Sequence, residues 1–287
     1  MSVDAIMPLL PARRPSRPIP GFGLSLGYSI VYLSFLVLLP LIALALSAAR
    51  LDLDGWMKVL SDDRVISALR LSFGSALAAA IVNAVFGPIC AYALVRFRFP
   101  GRRMLDALVD VPFALPTAVA GIALASLYAP SGPMGKALLD VFGVQVGYTS
   151  LGVTLALIFV GLPFTVRTLQ PVLRDLEGDM EQAAALLGAD RSRVWRRVIV
   201  PSVAPALMTA FTLSFARGAG EYGSVIFIAG NFPGVSEIAP LLIIIRLEEN
   251  NYAGASAIAM VMLLVSLCCL VVINLVQALM RERLGHE

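Results

Sequence analysis

The sequence predicts an all-α fold integral to a membrane, and three observations carry that prediction. Hydrophobic residues make up 59% of the 287 and charged residues only 14%, which leaves more apolar surface than a water-soluble globule of this length can bury. The apolar residues gather into six long runs separated by short charged stretches, and a helix needs roughly 20 such residues to cross a bilayer core of about 30 Å. Inside these runs every backbone polar group needs an internal partner, which a helix supplies, and no alternating polar and apolar pattern points to a barrel.

Residues 1–23 read as a cytoplasmic arm. Its stretch from Pro8 to Gly21 is rich in proline and arginine, and those arginines either anchor it in solvent or touch the membrane surface. Residues 24–64 hold the first span, Leu24 to Ala49, and an outer loop; the run exceeds the roughly 7 to 15 apolar residues of a cleaved signal. Residues 65–280 form the main membrane domain, with spans at Leu69 to Val95, Leu108 to Tyr128, Ser150 to Pro171, Val203 to Ala229 and Ala253 to Met280. A cytoplasmic tail, 281–287, follows.

Orientation comes from the arginines. Arg13, Arg14 and Arg17, then Arg96, Arg98, Arg102 and Arg103, then Arg167, Arg174, Arg191, Arg193, Arg196 and Arg197, then Arg281 and Arg283 all fall on one side. The opposite connections dilute their few cations with acids such as Asp52, Asp54, Asp62, Asp63, Asp140, Glu237, Glu248 and Glu249. Both termini are therefore expected in the cytoplasm.

Catalytic chemistry has little to work with. Cys90, Cys268 and Cys269 lie inside spans as small apolar residues, the single histidine is His286 in the tail, and neither a disulfide nor a metal site is expected. The only Gly-Lys pair, Gly135-Lys136, is followed by Ala137 and lacks the earlier glycine of a phosphate-cradling loop. No ATPase resides in this chain, and no nucleic-acid partner is expected.

The long connection from Val172 to Ser202 is no simple turn. Asp175, Glu177, Asp179 and Glu181 load the start of a helical pattern with acid, which suits the positive end of a helix dipole. Gln182 to Leu187 are strong helix formers and Gly188 offers a terminating position. Asp190 or Ser192 can then cap a second short helix through Val194, Trp195 and Val198, and Pro201 lets the next span begin. Leu187 and Trp195, ringed by Arg191, Arg193, Arg196 and Arg197, read either as docking anchors or as parts of an amphipathic surface helix whose arginines enforce topology.

The run Glu181-Gln182-Ala183-Ala184, then Gly188, then Val198, Val200 and Pro201, resembles the EAA loop of ATP-binding-cassette (ABC) importer permeases. Two departures stand out: Gln182 occupies the usual glutamate position, with Glu181 one place earlier, and valines replace an isoleucine and a leucine. The glutamate role either passes to Glu181 or is weaker. Three further stretches extend the resemblance over nearly the whole chain: Asp110-Val-Pro-Phe-Ala-Leu-Pro-Thr117 continuing to Ile122, Arg167-Thr-Leu-Gln-Pro171, and Gly220-Glu-Tyr-Gly-Ser-Val-Ile-Phe-Ile-Ala-Gly-Asn231. Together they are similar to the T-type permease of sulfate/thiosulfate importers, with molybdate/tungstate permeases as the alternative.

The resemblance implies a type I ABC importer permease fold with six transmembrane helices and a cytoplasmic coupling helix between helices 4 and 5. It implies a bacterial inner-membrane location, a second W-type permease subunit, two copies of an ABC ATPase and a periplasmic sulfate/thiosulfate-binding protein, with membrane lipid around the spans. No cofactor is expected on this chain; ATP and Mg belong to the ATPase. A passive anion channel or a proton-coupled carrier is the rival from another class, separated by ATP dependence. A membrane enzyme lacks a metal cluster, an activated nucleophile and a cofactor motif.

Arg217 and Glu221, four residues apart in the fifth span, are the obvious pathway candidates, because each charge alone is expensive in a membrane. Arg217 sits roughly 24 Å along the helix from Pro201. The pair reads either as a gate or anion contact, or as an ion pair that neutralises itself and fixes packing. Gly218, Gly220 and Gly223 can break the helix there. Thr117, Ser214, Ser224 and Asn231 are candidate donors to an anion or ordinary intrahelical hydrogen bonders. Pro112 and Pro116 disrupt the third span near its start, and Asp110 there either pairs with an arginine of the second connection or stays solvated.

Overall fold

The computed structural model describes residues 21–176, 186 and 190–283. Among these the secondary structure is entirely helical. Two units divide the chain, residues 1–46 and 47–287. The first contains nearly all of helix α1, Phe22–Ala48, an apolar helix of 27 residues.

The second unit begins with a short amphipathic helix, α2 (Leu53–Ser61), started by Asp52, whose carboxylate accepts the Gly55 N–H at 2.8 Å. Asp62 repeats the device for α3 (Asp63–Arg96), accepting the Arg64 N–H at 2.9 Å. At 34 residues α3 is about 51 Å long, more than the hydrocarbon core requires. After it come α4 (Arg102–Ala114), α5 (Thr117–Tyr128), α6 (Pro133–Phe142) and α7 (Ser150–Asp175). Beyond the undescribed stretch lie a single turn α8 (Arg191–Val194), a π-helical turn (Trp195–Ile199), and α9 (Val200–Ala219). The chain closes with α10 (Val225–Ala229), α11 (Ala239–Glu248) and α12 (Tyr252–Arg283).

Among the described residues, five helical stretches are long and apolar enough to cross a membrane, or six when the pair α4 and α5 counts as one span bent by 114°. The six expected spans are thus present, with two differences. The third is broken at Leu115 and Pro116, both extended in ψ, because Pro116 cannot donate to the helix and biases the residue before it away from helical backbone. The fifth stops at Ala219 instead of running to Ala229; Gly220 ends it, and α10 restarts after a turn.

The centre of the second unit is the packing of α3, α7 and α9. Their interface is built from small residues, Ala76, Ala79 and Ala80 of α3 against Ala156 of α7 and Ala219 of α9, with Leu157 and Phe215 filling the remaining space. Small side chains let backbones approach closely, which supplies the dispersion contact that association in lipid relies on. One end of this core is closed by Val225, Ile228 and Ala229 of α10. At the other end Leu94, Val166, Leu169 and Leu173 pack with Val194, Ile199 and Val203.

Buried polarity in this bundle ties one helix to another. Asn83 donates to the Ile158 carbonyl and to Ser214 Oγ, both at 3.2 Å, and a side chain at Gly161 would lie 2.5 Å from Asn83 and Ser214. Ser214, an anion-donor candidate from the sequence, is therefore a link between α9 and α3 inside the bundle.

Candidate functional site

The last turn of α9 and the loop after it concentrate the sequence-derived candidates. Gly220 ends the helix, and the Glu221 N–H still reaches back to the Gly218 carbonyl at 3.1 Å. That curl drops the Glu221 side chain inward, where it is 3% exposed. Arg217 forms an ion pair with one carboxylate oxygen. The other accepts two hydrogen bonds from Ser224, from its backbone N–H at 3.0 Å and its hydroxyl at 2.9 Å. Glu221 is thus charge-balanced at one oxygen and hydrogen-bonded at the other, as a buried carboxylate must be. The Arg217 side chain keeps 36% of its surface exposed.

Close approach explains two of the glycines here. A side chain at Gly121 of α5 would overlap the Ser224 carbonyl, and one at Gly223 would overlap the Thr117 hydroxyl. Four candidates, Thr117, Arg217, Glu221 and Ser224, therefore share one locus where α5 lies against the turn after α9. Asn231 does not join them. It sits beyond α10 in left-handed backbone, φ 58°, with its buried Oδ1 lacking a hydrogen-bond partner among the described residues.

The loop read as the ATPase contact is only partly placed. Glu181, Gln182, Ala183, Ala184 and Gly188 lie outside the described residues, as does Leu187. Downstream, Asp190 accepts the Arg193 N–H at 2.8 Å and so caps the short helix, as its sequence position anticipates. Val198 packs into the cluster joining α3, α7 and α9, and Pro201 stands in the first turn of α9. Trp195, read as a docking anchor, lays its ring 5.3 Å from Tyr92 of α3 while remaining 43% exposed.

Of the ion-pair sites that escaped the sequence reading, two have a forked guanidinium on a carboxylate. Arg167 of α7 forks across to α4: Nε donates to Asp110 at 2.7 Å, Nη2 to Asp110 at 2.5 Å and to the Asp106 carbonyl at 2.8 Å, and Nη1 to Asp106 at 2.6 Å. Gln170 completes the cluster, donating to Asp106 at 3.1 Å. Asp110 thus pairs with a fourth-span arginine and not with one from the second connection, because α4 packs on α7. The signal available in the sequence was the i,i+4 pair of carboxylates, Asp106 and Asp110, on one helix face. At the other end of the bundle Arg64 holds Glu237 with two bonds of 2.7 Å, and Glu237 is 2% exposed. A separation of 173 residues hides that partnership from any local pattern.

Comparison with known proteins agrees with this architecture. The chain is 45% identical over 271 residues to the sulfate transport system permease protein CysT of Salmonella typhimurium, covering 94% of this chain and 98% of that protein. The Escherichia coli protein of the same description is 46% identical with the same coverage, and that of Synechocystis is 44% identical over 93% of this chain. Among solved structures, a bacterial ABC transporter involved in import of the acidic polysaccharide alginate superimposes with a TM-score of 0.74 at 13% identity, covering 90% of this chain and 96% of that one. A methionine ABC transporter in inward-facing conformations gives 0.51 at 15% identity over 76% of this chain. These likenesses establish the type I ABC importer permease fold. Residues 83–285 match the family described as binding-protein-dependent transport system inner membrane component, and the chain belongs to that family of multi-pass membrane permeases.

Proposed function

We propose that the chain is the T-type permease half of an ATP-driven importer of sulfate and thiosulfate. The observation that carries the reading is identity of about 45% sustained over the full length of permeases described as sulfate transport proteins. In this reading residues 65–280 are the permease domain, both termini face the cytoplasm, and the membrane is the bacterial inner membrane. A second permease of W type completes the pathway, two ATPase copies bind below, and a periplasmic sulfate/thiosulfate-binding protein docks above. An alginate transporter of the same fold has been crystallised with a substrate-bound periplasmic protein, which supports a receptor partner of that kind.

Energy enters through residues 181–201. The end of this loop and the first turn of α9 place Val194, Ile199 and Val203 in one apolar cluster with Leu94, Leu169 and Leu173. Packed interiors transmit displacement because they have little free space, so ATPase closure on the loop is delivered to α3, α7 and α9 together. On the pathway side, Glu221 already has a complete set of partners, so its charge is not presented to a passing anion. The exposed portion of Arg217, together with Thr117 set against Gly223, is the part of the locus suited to a dianion. A conduit needs such donors to replace hydration while holding the ion loosely enough for release.

The test is uptake of labelled sulfate into proteoliposomes holding both permeases and the ATPase, with binding protein outside. Uptake should require ATP, and an equal rate without it would overturn the importer reading in favour of a channel or ion-coupled carrier. Competition by thiosulfate but not by molybdate is the expected selectivity. Gly188→Trp should leave insertion intact while separating ATP hydrolysis from uptake; unchanged uptake would remove the coupling role.

A further inference from the structure

We infer that the elbow between α3 and α4 is a binding site for an anionic phospholipid. Two adjoining features carry the inference. The first is a cavity of about 700 Å³ lined by Arg98, Arg102 and Arg103 together with Phe99, Gly101, Met104 and Asp106. None of the three guanidinium groups has an ion pair or hydrogen bond among the described residues. The one acid in the lining is already committed, since Asp106 takes bonds from Arg167 at 2.6 Å and Gln170 at 3.1 Å. Among the described residues, the cavity therefore presents uncompensated positive charge.

The second feature begins where the first ends. Phe99 also lines a groove of about 260 Å³ whose other walls include Leu94, Leu105, Leu108 and Leu162. A basic chamber continued by an apolar channel matches a molecule with an anionic head and a hydrocarbon tail, and it suits a free inorganic anion or an acidic protein side chain poorly. The depth is consistent with this occupant. Helix α3 is about 51 Å long against a hydrocarbon core of about 30 Å, so its end and the arginines after it reach the headgroup layer. Phosphate accepts the planar guanidinium fork at two oxygens, which favours arginine at such a site. Gly101 sets the geometry: its φ of 84° turns the chain so that α4 starts beside the end of α3. A headgroup bridging Arg98 with Arg102 and Arg103 holds the two helices together from the lipid side, while Arg167 holds α4 from the protein side.

The full chain, purified in mild detergent, is titrated with phosphatidylglycerol and separately with phosphatidylethanolamine, and bound lipid is counted by native mass spectrometry. Phosphatidylglycerol should bind at least tenfold more tightly. Each basic residue near a membrane surface contributes roughly fivefold, so the triple variant R98Q/R102Q/R103Q should lose most of that preference, and R98K/R102K/R103K should retain much of it. Ala93→Trp, which fills the groove, should weaken both lipids. Equal binding of the two lipids to the unaltered chain would overturn the proposal, and that arm needs no variant to fold. So would a phosphatidylglycerol preference unchanged in the glutamine variant. Displacement of the lipid by low millimolar inorganic phosphate or sulfate would overturn it too, in favour of a free-anion site.

Discussion

Glu221→Gln separates the charge of the buried carboxylate from its shape. The substituted amide can still accept from Ser224 through its carbonyl oxygen, so the bonds now measured at 3.0 and 2.9 Å survive. Its NH2 group, however, turns a donor toward Arg217, and a guanidinium that was paired is left facing another donor. Removing one partner of a fully buried ion pair costs about 3–5 kcal/mol. Arg217 is about a third exposed, and solvent recovers part of that loss, which brings the expected destabilisation to about 2–3 kcal/mol. For a chain of this size each kcal/mol lowers the melting temperature by roughly 2–4 °C, so the variant should melt about 5–10 °C lower. The assay is the apparent melting temperature of the detergent-purified chain at one fixed heating rate. R217Q/E221Q, which has no unpaired charge, should recover at least half of the loss. A single variant melting within 1 °C of the parent, or a double variant no better than the single, would refute the reasoning that the pair stabilises this turn.

Three other perturbations test neighbouring features. Arg167→Ala removes every cation bonded to Asp106 and Asp110; both carboxylates are about half exposed, so the loss is about 1–2 kcal/mol and backbone hydrogen exchange along α4 should quicken by roughly 5- to 30-fold. Gly121→Val places atoms against the Ser224 backbone and should lower the yield of folded protein, whereas Gly74→Ala, which meets nothing within 4 Å, should leave the melting temperature unchanged or raise it slightly. Arg64→Gln strands Glu237 without its cation and should cost about 2–4 kcal/mol, with much of that restored in R64Q/E237Q when both are compared by thermal melting.

The membrane class and the six spans were legible because crossing a bilayer imposes a length and a composition that any reader of the sequence can count. Breaks in the spans were half legible. Pro116 and Gly220 mark the two breaks, whereas Pro112 and Gly218, read as breakers too, lie inside continuous helices; a 114° bend arises from what each arm packs against, and those neighbours lie far along the chain. The pairing of Arg217 with Glu221 was visible since helical geometry brings residues four apart together. The second partner of Glu221, Ser224, needed the turn to exist first. Arg64 with Glu237 was invisible for the same reason, and of the Arg167 cluster only the i,i+4 carboxylates Asp106 and Asp110 showed: two helices must dock before the cation meets its partners. Asn83, 0% exposed, belongs to this group, because its role follows from Ser214 on another helix.

The broken third span has a mechanical consequence. Its two arms are each about 18–20 Å long and meet at Leu115 and Pro116, one arm bolted to α7 through Arg167 and the other seated on the turn at Glu221 through Gly121 and Gly223. That arrangement is a bell crank. If the joint keeps its 114° bend, a tilt of α4 by about 5° swings the far end of α5 by roughly 1.6 Å over its about 18 Å length, in a direction turned from the input by that bend. A push arriving at one face of the bilayer can thus be turned into sideways travel within it, without any straight helix having to slide.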